Sequence, residues 1–354
     1  DAAVEHCIGI NSAREMAALE IGKFLRSDGE EGFDAEYYPN AELEGPPVST
    51  DKIKQLRFSF GLMAPFEGIG DKMFSARWKA GIVAERDTEY LLYSRANGGV
   101  RLYVDGELVL DNWNRENREL KIPVRVGLSE GSHQVIYEFR PDDRWREVLL
   151  SWEPADAEQE ELERSVAIAK SAEAVILCTG YKSVTETEGS DRTWSLPDGQ
   201  DDFIRRIVDV NPNTILVLTA GGSVDASPWI DDVAALLHIW YPGQEADGVA
   251  DLLFGNVNPS GKLPITWERR LEDRSSFDCY HDDDGDRRVR LGDGVFTGYR
   301  HHYRTGVDPL FPFGFGLSYT SFELSNARLS STILKMDEQV EVLADVTNTG
   351  DRAG

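Results

Sequence analysis

Apolar and polar positions follow different patterns in successive parts of the chain. Residues 12–25 carry Ala, Met, Leu and Ile at helical spacing behind a Ser that suits an N-cap, which predicts a short helix. Residues 33–154 instead carry short apolar runs that alternate with polar positions and are separated by Gly, Asp and Asn. This second pattern is typical of an antiparallel β-sandwich or barrel. It predicts strands at residues 56–60, 73–79, 88–96, 100–104, 108–113, 133–140 and 148–152.

The strongest local signal in this region is a hairpin. Asp105 and Gly106 stand between two alternating apolar runs. An Asp-Gly pair suits the positive φ angles that a two-residue hairpin turn requires. The two runs are therefore predicted to pair with each other.

After residue 155 the apolar runs alternate with helical patterns. Strands that alternate with helices of this length predict a parallel α/β architecture, whose strands are buried on both faces and read as continuous apolar runs. Cys178 falls in the first such strand and is predicted to be a buried, unreactive thiol. The predicted elements are helices at 157–171, 200–210 and 246–254, and strands at 174–179, 214–219 and 233–240.

The last hundred residues divide into two parts. Residues 255–322 show little periodicity and are rich in Gly, Asp, Arg and aromatic residues, which is more typical of functional surface than of core. Two alternating runs follow, at 323–329 and 339–346. Because two strands form only a marginal unit in water, we expect them to be the start of a domain that the chain does not complete.

The net charge bears on which partners the chain can bind, and the cysteine content bears on disulfides and metal sites. The 354 residues carry a formal net charge of −26. This charge repels phosphate backbones and anionic lipid headgroups, so neither nucleic acid nor a membrane surface is expected as a partner, whereas a neutral sugar is not repelled. The three cysteines are far apart, so we predict neither a disulfide framework nor a metal site. No targeting pattern is seen in the first residues, and the compartment is left open.

An acidic loop follows the first predicted strand of the α/β region. It holds Glu186, Glu188, Asp191 and Arg192. Loops beyond the carboxyl ends of parallel strands are where α/β folds place ligands. A group of charges in an acidic protein is equally typical of a solvated loop, so composition alone does not separate the two interpretations.

The sequence around this loop carries a resemblance to a known family. Residues 185–200, TETEGSDRTWSLPDGQ, resemble the acid/base loop of family 3 glycoside hydrolases, which are typified by β-glucosidases. The resemblance covers most of residues 155–322. It continues through NPNT at 211–214, GGSV at 221–224, Trp229, WYPGQE at 240–245, GNVNPSGKLP at 255–264, FTGYR at 296–300 and FPFGFGLSY at 311–319.

The resemblance implies a multidomain fold that combines α/β and all-β parts. Residues 1–33 would be the first part of an α/β sandwich domain, which residues 155–321 complete as the family 3 C-terminal domain. Residues 34–154 resemble a PA14 β-sandwich that some members carry as an insertion. Residues 322–354 resemble the start of a fibronectin type III-like domain.

The resemblance also implies a mechanism. Retaining glycosidases use two carboxyl groups about 5 Å apart, one as nucleophile and one as acid and then base. In the family the nucleophile is an Asp on an N-terminal (β/α)8 barrel, which has no counterpart in this sequence. Glu186 is the preferred acid/base and Glu188 the alternative, while Asp191 and Arg192 are predicted to fix the loop and line the substrate site. No cofactor is expected.

Aromatic and histidine residues supply further candidates. Trp113 and Trp194 could stack on sugar rings or pack structurally, whereas Trp240 is favoured as a packing residue. Trp113 is a candidate because, in related enzymes, the PA14 module leans over the mouth of the active site. The pair His301-His302 is expected to have surface or loop roles rather than to bind a metal, since adjacent side chains rarely point the same way.

The sequence thus predicts part of a retaining exo-β-glycosidase, of β-glucosidase type, that contributes the acid/base loop. Its substrate would be a β-glucoside or a short β-glucan with a terminal non-reducing glucosyl residue. Its partner would be the missing barrel of the same protein, and a homo-oligomer is left open. The alternative is a non-catalytic carbohydrate-binding PA14 protein, for which Asp142-Asp143 is a weak calcium-loop signal.

Overall fold

The computed structural model describes residues 3–7, 9–10, 22–61, 74–114, 120–141, 146–182, 185–189, 191–279, 288–289 and 292–354. The chain divides into two compact units, Asp1–Ile168 and Ala169–Gly354. Most of the helix predicted at 12–25 lies outside the described residues, as do Asp142-Asp143.

The described residues of the first unit form ten strands in two antiparallel sheets. The larger sheet has the order β2-β1-β4-β9-β6-β7 and the smaller has the order β3-β10-β5-β8. The strands are β1 (Phe33–Tyr38), β2 (Ser49–Ile53), β3 (Arg57–Gly61), β4 (Ser75–Ala84), β5 (Thr88–Ala96), β6 (Gly98–Val104), β7 (Glu107–Asp111), β8 (Leu120–Leu128), β9 (Gly131–Pro141) and β10 (Arg146–Pro154).

The two sheets share one core, which makes this unit a β-sandwich. Alternate residues of strands from both sheets are buried together, as expected when one face of each sheet turns inward. Trp78 on β4 is fully buried, and its ring lies 6.3, 6.2 and 6.0 Å from those of Tyr37, Tyr137 and Phe139. A buried hydrogen bond of 2.6 Å joins the Ser94 hydroxyl on β5 to the Tyr137 hydroxyl on β9, and so links the sheets.

The seven strands predicted in this region are confirmed, and so is the hairpin. Asp105 and Gly106 have φ angles of 49° and 84°, and Val104 pairs with Glu107 across the turn. The sequence analysis missed β1, β2 and β8. β2 is mostly exposed and reads Ser-Thr-Asp-Lys-Ile, so it lacks the apolar alternation on which the prediction depended.

The second unit is built around a three-stranded parallel sheet. Its strands, β11 (Val175–Gly180), β12 (Thr214–Thr219) and β13 (Ala235–His238), lie in sequence order, and α2 (Gln200–Val210) connects the first two. The helix α1 (Ala157–Ser171) precedes the sheet, and α3 (Asp247–Leu253) follows it. These elements confirm the α/β pattern predicted from the sequence.

One detail of the parallel sheet departs from the prediction. We expected strands buried on both faces, but burial alternates along β11, where Ile176 is 47% exposed. Cys178 lies on the same side of the strand and is exposed, so the prediction of a buried thiol is wrong. β11 is an edge strand, which pairs only with β12 within the described chain.

The remaining residues form short elements. Two 3-10 turns, Leu271–Asp273 and Phe277–Cys279, and the helix α4 (Tyr299–Thr305) interrupt the region predicted to be irregular. β14 (Phe322–Leu329) and β15 (Val342–Asn348) pair antiparallel and are almost entirely exposed. Within the described parts of the chain, the helices are too short or too polar to cross a bilayer.

Replacement of Trp78 tests the shared core. We expect Trp78→Ala to lower the free energy of unfolding by about 3–5 kcal/mol, because truncation of a buried aromatic side chain leaves a cavity between the sheets. Leu108→Ala is the control, since Leu108 is 45% exposed and its loss should change stability by about 0.5 kcal/mol or less. Urea titration followed by near-ultraviolet circular dichroism measures both, and equal losses would contradict a core centred on Trp78.

Candidate active site

The acidic loop lies at the carboxyl edge of the parallel sheet. Three connections meet at this edge: residues 181–199 after β11, residues 220–224 after β12 and residues 239–241 after β13. Parallel strands bring the segments that follow them to a single edge, which is where open α/β sheets bind ligands. The side chains below come from all three connections.

Glu186 is the residue on which these connections converge. Its Oε1 lies 2.6 Å from Nε of Arg192, in the same loop. Its Oε2 accepts a 2.8 Å hydrogen bond from the backbone N–H of Gly221, after β12, and a second from the hydroxyl of Tyr241, after β13. The carboxylate is largely shielded from solvent, with a side chain that is 20% exposed. Glu186 therefore ties three loops together.

Arg192 extends the same network. Its Nη2 donates a 2.7 Å hydrogen bond to the carbonyl oxygen of Ser223, and its guanidinium lies 4.6 Å from the centre of the buried Tyr181 ring. Burial of Tyr181 raises the pKa of its phenol, although the Arg192 charge acts in the opposite direction. The phenol oxygen lies 2.8 Å from the carbonyl oxygen of Thr193 and 2.9 Å from that of Ser195. Tyr181 thus binds the part of the loop that follows Arg192.

The two ends of the loop are also fastened to each other. The amide side chain of Gln200 accepts a 2.7 Å hydrogen bond from the N–H of Gly180 and donates one of 2.9 Å to its carbonyl oxygen. Gly180 has a φ angle of 133°, and a Cβ there would lie 1.9 Å from the carbonyl oxygen of Thr219. Only glycine fits between β11 and β12 at this point.

Two glycines beside the Glu186 carboxylate also lie where there is little space for a side chain. A Cβ on Gly221 would lie 3.0 Å from Oε1 of Glu186, and a Cβ on Gly222 would lie 3.2 Å from Nη2 of Arg192. The ion pair is packed directly against the backbone after β12. Gly221 and Gly222 therefore let the backbone after β12 approach this side-chain pair closely.

Glu188 is placed differently from Glu186. It is exposed, and within the described residues no ion pair or hydrogen bond engages its carboxylate. Asp191, in the same loop, is also exposed. The two glutamates are separated by one residue, yet one is held in the loop and the other faces solvent.

Trp194 belongs to a second layer around Arg192. The guanidinium of Arg274 lies 4.6 Å from the centre of the Trp194 indole and covers one of its faces. Arg274 also donates a 3.1 Å hydrogen bond to the Ser223 hydroxyl, which in turn donates one of 2.9 Å to Glu268. One face of the Trp194 ring is therefore already in use.

Trp113 offers no free ring face in its own unit. It is 3% exposed, and the guanidiniums of Arg101 and Arg140 lie 4.7 and 5.1 Å from the centre of its ring. Its indole N–H donates a 2.9 Å hydrogen bond to Glu42. Stacking on a sugar requires an uncovered ring face, so this geometry favours the packing alternative for Trp113 over the stacking one.

Sequence reasoning missed two residues near Glu186, namely Tyr241 and His238. It weighed a third, Trp240, and favoured a packing role for it. His238 is a partly buried residue of β13 whose Nε2 lies 2.9 Å from the carbonyl oxygen of Ala220, and burial lowers its pKa. Its ring lies 4.3 Å from that of Trp240. Trp240 has a φ angle of 55°, which is strained for a bulky residue and sits immediately before Tyr241. The run WYPGQE at 240–245 was the sequence signal that could have pointed to Trp240 and Tyr241.

The adjacent histidines do not form a metal centre. The rings of His301 and His302 stand at 89° to each other, and Nδ1 of His302 lies 2.9 Å from the carbonyl oxygen of Val307. In the portion of the chain that the structure describes, no group of three or more His, Cys, Asp or Glu side chains is arranged to bind a metal ion.

Comparison with models of protein families identifies the family to which the chain belongs. The model of the glycosyl hydrolase family 3 C-terminal domain matches residues 39–319. The chain belongs to glycosyl hydrolase family 3. The membership predicted from the acidic loop and the following motifs is confirmed.

Relatives and solved structures in family 3 extend over nearly the whole chain. A β-glucosidase of Rhizobium radiobacter is 33% identical over 99% of this chain and 44% of its own length. A putative β-glucosidase of Schizosaccharomyces pombe is 30% identical over 100% of this chain and 44% of its own length. The crystal structure of a Kluyveromyces marxianus β-glucosidase with glucose matches with a TM-score of 0.77 and 25% identity, over 99% of this chain and 43% of that one. The chain therefore spans less than half of these relatives.

Substitution of Gly221 tests the packing of Glu186. We expect Gly221→Ala to lower the free energy of unfolding by about 1–3 kcal/mol, because the added methyl group displaces the carboxylate from its donors. Gly248→Ala is the control. Gly248 lies in α3 with no atom within 4 Å of the added position, and alanine in a helix should stabilise the chain by about 0.5–1 kcal/mol. Urea titration measures both changes, and similar values for the two variants would show that Glu186 is not held against the backbone.

Proposed function

We propose that this chain is the acid/base-bearing part of a retaining exo-β-glycosidase of β-glucosidase type, which releases terminal non-reducing β-D-glucosyl residues. The observation that carries the proposal is the acidic loop at the carboxyl edge of the sheet, with one engaged and one exposed glutamate. The relatives support the substrate class, since those matched over nearly the whole chain are named as β-glucosidases. The substrate would be a β-glucoside or a short β-glucan.

The contacts support Glu188, rather than Glu186, as the acid/base. Glu186 accepts hydrogen bonds from Gly221 and Tyr241 and is paired with Arg192, so both of its oxygens are already engaged within the protein. A general acid needs a proton to give and a path to the glycosidic oxygen. Glu188 is exposed on the same loop and has its oxygens free for a substrate. This order reverses the preference that we drew from the sequence.

Each residue then has a distinct part in the reaction. Glu188 would protonate the leaving-group oxygen while a carboxylate on the absent barrel attacks the anomeric carbon, and would then remove a proton from the water that hydrolyses the glycosyl-enzyme. Glu186 and Arg192 would hold the loop so that Glu188 reaches the substrate, and are positioning residues. Asp191 and Trp194 are proposed to line the sugar-binding side of the loop. No step needs a cofactor.

The proposed domain organisation follows the resemblance. Residues 34–154 would be a PA14 module within the α/β domain of residues 1–33 and 155–321, and residues 322–354 would begin a fibronectin type III-like domain. The two shared-core sheets of the first unit and the exposed β14–β15 pair are compatible with this division. The barrel would supply the nucleophile. Acid/base assistance alone gives about 10² to 10⁴-fold in rate, so this chain by itself should be almost inactive.

Kinetics of the full-length protein test the assignment. We expect Glu188→Ala to lower kcat on p-nitrophenyl β-D-glucoside by about 10² to 10⁴-fold, with recovery in sodium azide, since a small nucleophile replaces the missing base. A dinitrophenyl glucoside should retain more of its rate of bond cleavage, because its leaving group needs no proton. Glu186→Ala should lose activity on both substrates without azide recovery.

The control is Glu272→Ala, because Glu272 is an exposed glutamate of the same unit outside the loop. Its rate should equal that of the parent. Azide recovery at Glu186 instead of Glu188 would reverse the two roles. A full-length protein that binds β-glucosides without hydrolysing them would favour the carbohydrate-binding alternative.

A further inference from the structure

One peptide bond at the candidate site is held from both sides. The N–H of Gly221 donates a 2.8 Å hydrogen bond to Oε2 of Glu186. The carbonyl oxygen of Ala220, which belongs to the same peptide unit, lies 2.9 Å from Nε2 of His238. In a trans peptide the C=O and N–H groups lie in one plane and point in opposite directions. A side chain on β13 thus contacts one edge of this peptide, and the Glu186 carboxylate contacts the other.

The contact with Ala220 fixes where the imidazole proton of His238 lies. A carbonyl oxygen can only accept a hydrogen bond, so Nε2 is the donor. Nδ1 is buried and forms no hydrogen bond with the described residues. A second proton on Nδ1 would be a buried donor without an acceptor, which is costly. The geometry therefore favours a neutral ring that carries its single proton on Nε2.

The surroundings of the ring also favour the neutral form. Burial has the largest effect and lowers the pKa of His238, and the Arg192 guanidinium lowers it further. The hydrogen bond to the Ala220 carbonyl and the Glu186 carboxylate act in the opposite direction, and the balance is a lowered pKa. His238 thus contributes a hydrogen-bond donor beside the Glu186–Arg192 ion pair without contributing a charge.

Two indole rings restrain the imidazole. The ring centre of His238 lies 4.3 Å from that of Trp240 and 5.3 Å from that of Trp267. Trp267 is 1% exposed, and its indole N–H donates a 2.8 Å hydrogen bond to the carbonyl oxygen of Val224. Trp240 keeps a positive φ angle, and strain of this kind persists only where the surrounding structure holds the residue firmly. The direction of the Nε2–H bond is therefore well defined.

The two hydrogen bonds on the peptide support each other. A donor at the carbonyl oxygen polarises the amide and strengthens its N–H as a donor, by about 10–30% per bond in condensed-phase estimates. The same donor opposes rotation of the peptide plane away from Glu186. Gly221 depends on such a restraint because glycine has the widest choice of backbone angles. His238 thus acts on the strength and on the direction of the hydrogen bond that Glu186 accepts.

We propose that His238 is a positioning residue for the proposed glycosidase reaction. It acts through the Ala220–Gly221 peptide on Glu186, the residue that ties the three loops together. The loop anchored in this way carries Glu188, so a change at His238 reaches the acid/base through the loop. This inference rests on the proposed function and adds to it a residue of β13, outside the acidic loop.

Two substitutions of similar length separate the donor from the packing. In the full-length protein, His238→Gln retains an N–H donor near the position of Nε2, whereas His238→Met has no donor. We expect His238→Met to lower kcat on p-nitrophenyl β-D-glucoside by about 5- to 10-fold, because one directed hydrogen bond is lost. KM should change less than about twofold, since the residue acts on the chemical step. His238→Gln should keep kcat within about twofold of the parent.

The matched control is His133→Met in the first unit. Nε2 of His133 lies 2.8 Å from the carbonyl oxygen of Ser129, so this variant loses the same kind of contact. It should lower the free energy of unfolding in urea and leave kcat unchanged. A residue that only stabilised the fold would behave in the same way at position 238. Unchanged kcat in folded His238→Met, or an equal loss of kcat in His238→Gln, would overturn the inference.

Hydrogen exchange at Gly221 tests the contact itself and does not depend on activity. We expect the Gly221 N–H of the full-length protein to exchange severalfold faster in His238→Met and at the parent rate in His238→Gln. Mass spectrometry with electron-transfer fragmentation measures this rate. If His238→Met folds poorly, His238→Phe retains a ring, lacks the donor and should give the same result. Equal exchange in the parent and in the variants without a donor would contradict the role of His238.

The inference and the proposed function fail in different ways. A full-length protein that does not hydrolyse β-glucosides, yet exchanges Gly221 faster only in the variants without a donor, would reject the proposed function. It would leave the support of Glu186 by His238 in place. Hydrolysis with the expected loss at Glu188, together with unchanged exchange at Gly221, would reject the role of His238 and leave the proposed function.

Discussion

The Glu186–Arg192 ion pair is the interaction on which the candidate site depends. The pair lies against the backbone after β12 and reaches Tyr241 after β13, so a bond within one loop fixes three loops at once. Its 2.6 Å separation is that of a strong charge-assisted contact, and both side chains are at least four-fifths shielded from solvent. Breaking such a pair by removal of one partner is costly, because the other charge is left poorly solvated. The exposed Glu188 lies two residues from this network in the same loop.

Much of this architecture could be predicted because its patterns are local. The helix Gln200–Val210 and the strand Thr214–Thr219 were predicted with their observed bounds, since α2 has an apolar face and β12 is a continuous apolar run. The Asp-Gly turn was predictable for a similar reason. β2 was not, because its residues are polar and its place in the sheet is set by its pairing with β1. Tertiary pairing of that kind has no local signature.

The candidate site likewise combines a feature that the sequence predicted with features that it did not predict. The acidic loop was recognised from its sequence, but the different surroundings of Glu186 and Glu188 were not. Their difference arises from groups that are distant in sequence: the N–H of Gly221, the hydroxyl of Tyr241 and the carbonyl oxygen of Ser223, which binds Arg192. The surroundings of Trp113 could not be predicted for the same reason, because the two arginines near its ring come from β6 and β9. Sequence proximity to a hairpin gave no information about those neighbours.

The close approach of the ion pair to Gly221 and Gly222 has an evolutionary consequence. Four positions in two separate segments, 186 and 192 in one and 221 and 222 in the other, share one small volume, so none of them is free to change alone. A lineage that shortens the side chain at 186 or 192 releases space in which 221 or 222 can acquire a side chain. Among homologous sequences, the glycines should therefore vary together with the charged pair and not with their own neighbours in the chain.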